Sequence, residues 1–177
     1  MNSLNTLNYI YHNRLWNSIS SLASYDYKTD CSFTMRFLHH NVKSLTKKHY
    51  FYKSLNLQHS CDIFSVSETW LKPCIPNSLV SLHGFNLIRH DRDSVIKTRA
   101  GGAAIYIRSD IKYSILVKPS SILSDVCDSV WLKIKTTSKT ECLIIASIYL
   151  PPDPKLKPIF LEKLAKSLVY HSLLGKD

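Results

Sequence analysis

The sequence predicts a mixed α/β fold, and two observations carry that prediction. Apolar runs of strand length, of which residues 62–67 and 143–149 are the clearest, recur between turn signals. Two other segments have helical spacing: the apolar residues of 45–55 are seven and three positions apart, and residues 159–168 place Phe160 and three leucines on one side. Strands and helices that alternate in this way are typical of sheets covered by helices.

The first half of the chain is predicted to run strand, helix, strand, strand. Residues 36–42 have the texture of a strand, and Ser44 or Thr46 is a suitable N-cap for the helix that follows. Residues 62–67 form the next strand. A loop rich in proline then leads to a turn and a short strand at 84–89.

The second half is predicted to be mainly β until its final helix. The pair Gly101-Gly102 lets another backbone segment approach closely before a strand at 103–107. A further strand fits residues 113–117, and residues 130–135 alternate as a half-buried strand does. The nearly continuous apolar run 143–149, ended by two prolines, predicts a central strand covered on both faces.

Length and composition predict one domain. The chain has 177 residues, 45% of them hydrophobic and 20% charged, which is ordinary for a globular protein. Residues 1–34 are rich in Asn, Ser and Tyr and lack a sustained period, so they are predicted to be a weakly ordered leader. The domain is therefore placed at residues 35–177.

Charge points to a polyanionic partner. The 23 Lys and Arg exceed the 13 Asp and Glu, and the net charge is +10. Such a surplus suits nucleic acid or an acidic membrane surface without choosing between them. A basic protein with no polyanionic ligand is the alternative.

Cysteine spacing and hydropathy exclude several classes of protein. No CxxC pair or zinc-ligand spacing occurs, so neither a metal finger nor a disulfide framework is indicated, and the cysteines are expected to be reduced; they are residues 31, 61, 74, 127 and 142. No apolar stretch approaches the roughly 20 residues of a membrane helix, and the N-terminus does not have the pattern of a secretory signal. The prediction is an intracellular protein with no membrane span.

One carboxylate stands at the end of a predicted strand, in the segment Ser67-Glu68-Thr69-Trp70. Because side chains alternate along a strand, Phe64, Val66 and Glu68 are predicted to share one face. A carboxylate at the point where a buried strand becomes a loop is well placed to hold a metal. Taken alone, such a residue is more often simply the start of a solvated loop.

Four motifs follow one another along the chain: His39-His40-Asn41-Val42-Lys43-Ser44-Leu45, Ser67-Glu68-Thr69-Trp70-Leu71, Ala100-Gly101-Gly102-Ala103-Ala104-Ile105-Tyr106-Ile107-Arg108 and Ile148-Tyr149-Leu150-Pro151-Pro152. In this order they resemble the endonuclease/exonuclease/phosphatase superfamily, most closely the apurinic-like endonuclease domain of LINE-type non-LTR retrotransposons. The resemblance implies a DNase I-like, four-layered α/β sandwich in which two mixed sheets pack between helices. It also implies hydrolysis of DNA phosphodiester bonds with Mg²⁺ or Mn²⁺, and a nuclear location.

The resemblance assigns roles to three residues. Glu68 matches the metal-binding Glu of the family, and Asn41 and Tyr149 match its active-site Asn and Tyr. Hard cations favour oxygen ligands, in agreement with Glu68 as a ligand. Tyr149 is able to hydrogen-bond a phosphate oxygen, and Asn41 to orient a phosphate or a carboxylate. The adjacent His39 and His40 point to opposite faces of a strand and are not predicted to act as an acid–base pair.

Two family segments are missing from the sequence, Gly-Asp-x-Asn and Ser-Asp-His. They would supply the residue that activates water and the His beside the scissile phosphate. The chain is therefore expected to be the first half of a truncated domain, with weak metal binding, little turnover alone and a need for the rest of the domain or polyprotein. Two alternatives are a non-catalytic remnant that binds nucleic acid, and a phosphatase or lipid phosphodiesterase of the same superfamily.

Overall fold

The computed structural model describes residues 23–28, 34–55, 57–92, 101–135 and 142–174. Eight strands lie in these ranges: β1 (Ala23–Lys28), β2 (Thr34–Asn41), β3 (Ile63–Ser67), β4 (Phe85–His90), β5 (Ala103–Arg108), β6 (Tyr113–Ile115), β7 (Asp128–Lys135) and β8 (Cys142–Tyr149). The helices are α1 (Leu45–Ser54), α2 (Leu57–Ser60), α3 (Val117–Leu123) and α4 (Leu156–Leu174), and a 3₁₀ helix spans Asn77–Val80. None of the described helices is long and apolar enough to span a bilayer.

The strands form two sheets. The first has the order β1-β2-β3-β5-β4, and the second has the order β6-β7-β8. In the first sheet β2 and β3 are parallel and all other pairs are antiparallel. The parallel pair arises because α1 and α2 carry the chain back from the end of β2 to the start of β3. The carboxyl ends of β2 and β3 therefore lie side by side, with Asn41 opposite Ser67.

The two sheets pack face to face between helices, which gives four layers. One apolar cluster joins α1 to the outer face of the first sheet, with Tyr52 and Phe64 fully buried. A second cluster lies between the sheets and includes Ile105 and Leu132. A third joins α3 and α4 to the outer face of the second sheet through Phe160. The mixed α/β class and the layered sandwich are thus as predicted.

The second sheet differs from the expectation in two ways. It was expected to be mixed, but its described strands are all antiparallel. The run 143–149 is expected to be a central strand, yet β8 pairs only with β7 among the described strands. Both faces of β8 are covered, since Ile145 packs between the sheets and Ile144 packs with the cluster at α4. An apolar run reports covered faces, and it carries no information about neighbours in the plane of the sheet.

Three local elements were not foreseen. No strand is predicted within residues 1–34, but β1 pairs antiparallel with β2. Apart from β1 and Thr34, the first residue of β2, that predicted leader lies outside the described residues. The predicted strand at 113–117 ends at Ile115, and α3 begins at Val117. Leu161 is half exposed although the helical pattern places it beside Phe160.

Candidate active site

Main-chain hydrogen bonds join two loops at the carboxyl ends of β2 and β3. The Ser44 N–H donates to the Glu68 carbonyl at 3.0 Å, and the Leu45 N–H donates to the Thr69 carbonyl at 2.9 Å. A third segment joins from β5: the Thr69 N–H donates to Gly102 at 3.3 Å, and the Trp70 N–H donates to Gly101 at 3.0 Å. Main-chain hydrogen bonds thus fix residues 68–70 between the other two segments.

The backbone of this region is unusually strained. Within the described residues, every non-glycine residue with positive φ lies in these loops: Lys43 (φ 44), Ser44 (φ 89), Glu68 (φ 55) and Trp70 (φ 54). The left-handed region costs a bulky or charged residue on the order of 1–3 kcal/mol, and such residues concentrate at functional sites. The concentration of strain in one place marks this end of the sheets as the candidate site.

Gly102 allows the close approach that this arrangement needs. Its φ is 82, and a Cβ at this position would overlap the Thr69 hydroxyl. The predicted role of the Gly101-Gly102 pair, close backbone approach, is therefore confirmed.

Glu68 and Asn41 are in direct contact. Asn41 Nδ2 donates to Glu68 Oε1 at 2.8 Å. The prediction that Glu68 continues the face of Phe64 and Val66 is wrong, because its left-handed φ ends the alternation of the strand. The turn brings the carboxylate to Asn41 instead, and Asn41 orients it.

Tyr149 lies at the same end of the sandwich, at the end of β8. It stands opposite Asp128 in the register of β7 and β8. Its ring faces a guanidinium, since the Arg92 Cζ atom lies 5.3 Å from the ring centroid. Arg92 Nε is 3.1 Å from Asp128 Oδ2, and the same oxygen accepts the Gly102 N–H at 2.8 Å.

Arg92 and Asp128 are two residues of this region that sequence reasoning missed. Their side chains are largely buried, and they connect Tyr149 to Gly102 and so to the loop that carries Glu68. In the sequence Arg92 belongs to a charged loop and Asp128 opens an ordinary strand. No local pattern separates them from solvated charges.

The two adjacent histidines have different environments, as expected from their alternation. His39 Nδ1 is 3.1 Å from the Ser65 hydroxyl, and His40 Nδ1 is 2.6 Å from the Tyr52 hydroxyl. Burial, aided by the charge of Lys48, lowers the pKa of His40 below its ordinary value. His40 thus shares a hydrogen bond with the Tyr52 hydroxyl of α1.

In this region Asp128 is paired with Arg92, and Glu68 is the carboxylate that we assign to a hard cation. No group of three or more His, Cys, Asp or Glu side chains comes together for a metal within the described ranges. Glu68 uses one oxygen toward Asn41 and keeps further acceptor capacity, and it has no ion-pair partner in the described part of the chain. This donor set fits Mg²⁺ or Mn²⁺, which are often held by one or two carboxylates together with waters and phosphate oxygens.

Two solved structures are similar to this chain. One is the endonuclease domain of TRAS1, a telomere-specific non-LTR retrotransposon, at 14% identity and a TM-score of 0.47, over 75% of this chain and 51% of that one. The other is the 3′ phosphatase NExo from Neisseria bound to a product DNA hairpin, at 16% identity and a TM-score of 0.48, over 78% and 53%.

The first is the endonuclease domain of a non-LTR retrotransposon, the kind of protein that the motifs resemble. The chain spans about half the length of each. No family model matches the chain, and no curated protein matches it in sequence.

Proposed function

We propose that this chain carries part of the active site of a divalent-metal-dependent phosphodiesterase that nicks DNA. The contact between Asn41 and Glu68 supports the proposal most directly, because it orients a carboxylate that is not neutralised by any ion pair of the described residues. The net charge of +10 suits a DNA substrate.

Each residue has a defined task in this proposal. Glu68 holds Mg²⁺ or Mn²⁺, which when bound polarises a phosphoryl oxygen. Asn41 donates to Glu68 and keeps the carboxylate in one orientation. The Tyr149 hydroxyl hydrogen-bonds a phosphate oxygen whose charge rises in the transition state. Because Glu68 is the one carboxylate that the proposal assigns to the metal, we expect slow turnover by the chain alone.

Metal binding tests the proposal without depending on turnover. Mn²⁺ affinity, measured by electron paramagnetic resonance, should fall at least about tenfold in Glu68→Gln. Glu162→Gln is the matched control, because Glu162 is an exposed carboxylate on α4 that pairs with Lys166. Equal affinities in Glu68→Gln and the wild type would refute the assignment of Glu68.

Nicking of supercoiled plasmid tests the reaction itself. Any Mg²⁺-dependent nicking by the wild-type chain should be lost in Glu68→Gln and retained in Glu162→Gln. Nicking that survives Glu68→Gln would exclude Glu68 as the metal ligand. Salt-sensitive DNA binding that is unchanged by Glu68→Gln and accompanied by no metal binding would favour a non-catalytic nucleic-acid-binding protein.

A further inference from the structure

Trp70 is held in a conformation that neither its backbone nor its side chain favours. Its φ is 54, and its side chain is 42% exposed between Thr69 and Leu71, which are both buried. A single exposed aromatic residue is common on protein surfaces and needs no explanation. A bulky aromatic residue that is both left-handed and exposed is uncommon, because each condition costs free energy. The left-handed backbone is strained, and an exposed indole lacks the stabilisation that burial of its apolar surface would give.

The surrounding loops maintain this conformation. The Trp70 N–H donates to the Gly101 carbonyl at 3.0 Å, and the neighbouring Thr69 N–H donates to Gly102. Leu71, immediately after Trp70, is buried in the cluster beneath α1. The chain is thus anchored on both sides of Trp70, and the indole is left at the surface two residues from Glu68.

The setting of Trp70 matches one kind of ligand. The indole has a large π face, the exposed Lys72 follows two positions later, and the chain as a whole carries +10. An aromatic face beside positive charge is the usual combination for single-stranded nucleic acid, where bases stack and the backbone is attracted electrostatically.

We propose that Trp70 is a stacking platform for an unpaired nucleobase next to the phosphate that Glu68 serves. This inference rests on the proposed function for its substrate class, DNA, but it assigns a separate task. Trp70 stacks on a base, whereas Glu68 binds the metal. The strained loop keeps the indole exposed before DNA arrives, so no conformational change is needed to present it.

Affinity for a short single strand tests the proposal in the absence of metal, where no cleavage occurs. With an oligothymidylate of about ten nucleotides, Trp70→Ala should bind about 5-fold to about 100-fold more weakly than the wild type. Trp70→Phe should retain most of the affinity, because it keeps an aromatic face. Tyr50→Ala is the matched control, since Tyr50 is 81% exposed on α1, and it should change the affinity less than about twofold.

Fluorescence gives a second, direct readout. In a Trp16→Phe background the remaining indoles are Trp70 and Trp131, and Trp131 is buried. The component accessible to acrylamide should therefore be Trp70, and the oligonucleotide should quench and protect it. An oligonucleotide with abasic sites has the same charge but no bases, so it should bind the wild type as weakly as the intact strand binds Trp70→Ala.

Specific results would overturn the inference. They are equal affinities of wild type and Trp70→Ala, equal losses in Trp70→Ala and Tyr50→Ala, or quenching by anionic phospholipid vesicles but not by the oligonucleotide. Thermal unfolding of each variant checks that the fold is kept, and Trp70→Phe remains informative if Trp70→Ala is unstable. Because the assay contains no metal, failure of Glu68 to bind Mn²⁺ would refute the proposed function and leave this result interpretable.

Discussion

The two ends of β3 each carry a carboxylate, and the two are treated in opposite ways. Asp62, just before the strand, is buried and receives an ion pair from Arg108 and another from Arg36 at 3.6 Å. Glu68, just after the strand, receives one amide hydrogen bond from Asn41. The first carboxylate is ion-paired within the fold, whereas the second is oriented by an amide and has no ion pair among the described residues.

The backbone repeats this contrast. At the Asp62 end, no described non-glycine residue has positive φ, and the Arg108 N–H donates to the Asp62 carbonyl at 2.9 Å. At the Glu68 end, three loops cross with positive φ at several residues. Asp62 is ion-paired at one end of β3, whereas the backbone is strained at the other end. Strain is expected there if the second carboxylate, Glu68, serves a ligand.

The largest effect should come from Gly102→Ala, which disturbs the Glu68 end of β3 and leaves the Asp62 end unchanged. The new Cβ would overlap the Thr69 hydroxyl, and alanine disfavours a φ of 82. We expect a loss of about 3 kcal/mol in the free energy of unfolding, measured by urea denaturation. Adding Thr69→Ala should recover the part of this loss that comes from the overlap; no recovery would mean that backbone strain alone is responsible.

Asp62→Asn should have the next largest effect on stability and none on metal binding. It leaves Arg36 and Arg108 without their shared carboxylate, but both guanidinium groups are partly exposed and solvent reduces the cost. We expect a loss of about 1–3 kcal/mol in chemical denaturation, against less than about 0.5 kcal/mol for the exposed Asp110→Asn. Equal losses in Asp62→Asn and Asp110→Asn would show that the ion pairs of Asp62 stabilise the fold no more than an exposed ion pair does.

Asn41→Ala should give the opposite profile, with little effect on stability and a clear effect on metal. The side chain is exposed, so its removal should cost less than about 1 kcal/mol of unfolding free energy. Mn²⁺ affinity should fall by about 10-fold to 100-fold, because the carboxylate loses the donor that orients it. Ser54→Ala, which removes another exposed hydrogen bond, should leave Mn²⁺ affinity unchanged.

The smallest effect should come from His40→Gln, which changes how the stability of the fold depends on pH. Because the folded-state pKa of His40 is lowered from 6.5, the unfolded chain takes up a proton first as the pH falls. The contribution of neutral His40 is therefore complete above about pH 6.5 and is lost as the pH drops through the lower, folded-state pKa. The melting temperature should fall less on acidification in His40→Gln than in the wild type; identical slopes would contradict this assignment.

The sequence predicted the strands around the site better than the site itself. Apolar runs locate β2, β3, β5 and β7 because burial of side chains is a local property of the pattern. The contact of Asn41 with Glu68 depends on a left-handed residue after β3, which alternation does not foresee. Arg92 and Asp128 escaped for a similar reason, since their pairing joins distant segments.

We expect the parallel β2–β3 pair to form early in folding, because its contacts are closer together in the sequence than those of β8. Asn41 and Glu68 are 27 residues apart and lie at the two ends of one β-α-β segment, whereas the Ser147 hydroxyl reaches the Val66 carbonyl across 81 residues. Short-range closure is faster, so the carboxylate should be oriented before β8 docks and delivers Tyr149. Amides of β8 should accordingly exchange with solvent deuterium sooner than those of β3, through an opening in which β8 leaves both β7 and the first sheet while β2 and β3 stay paired.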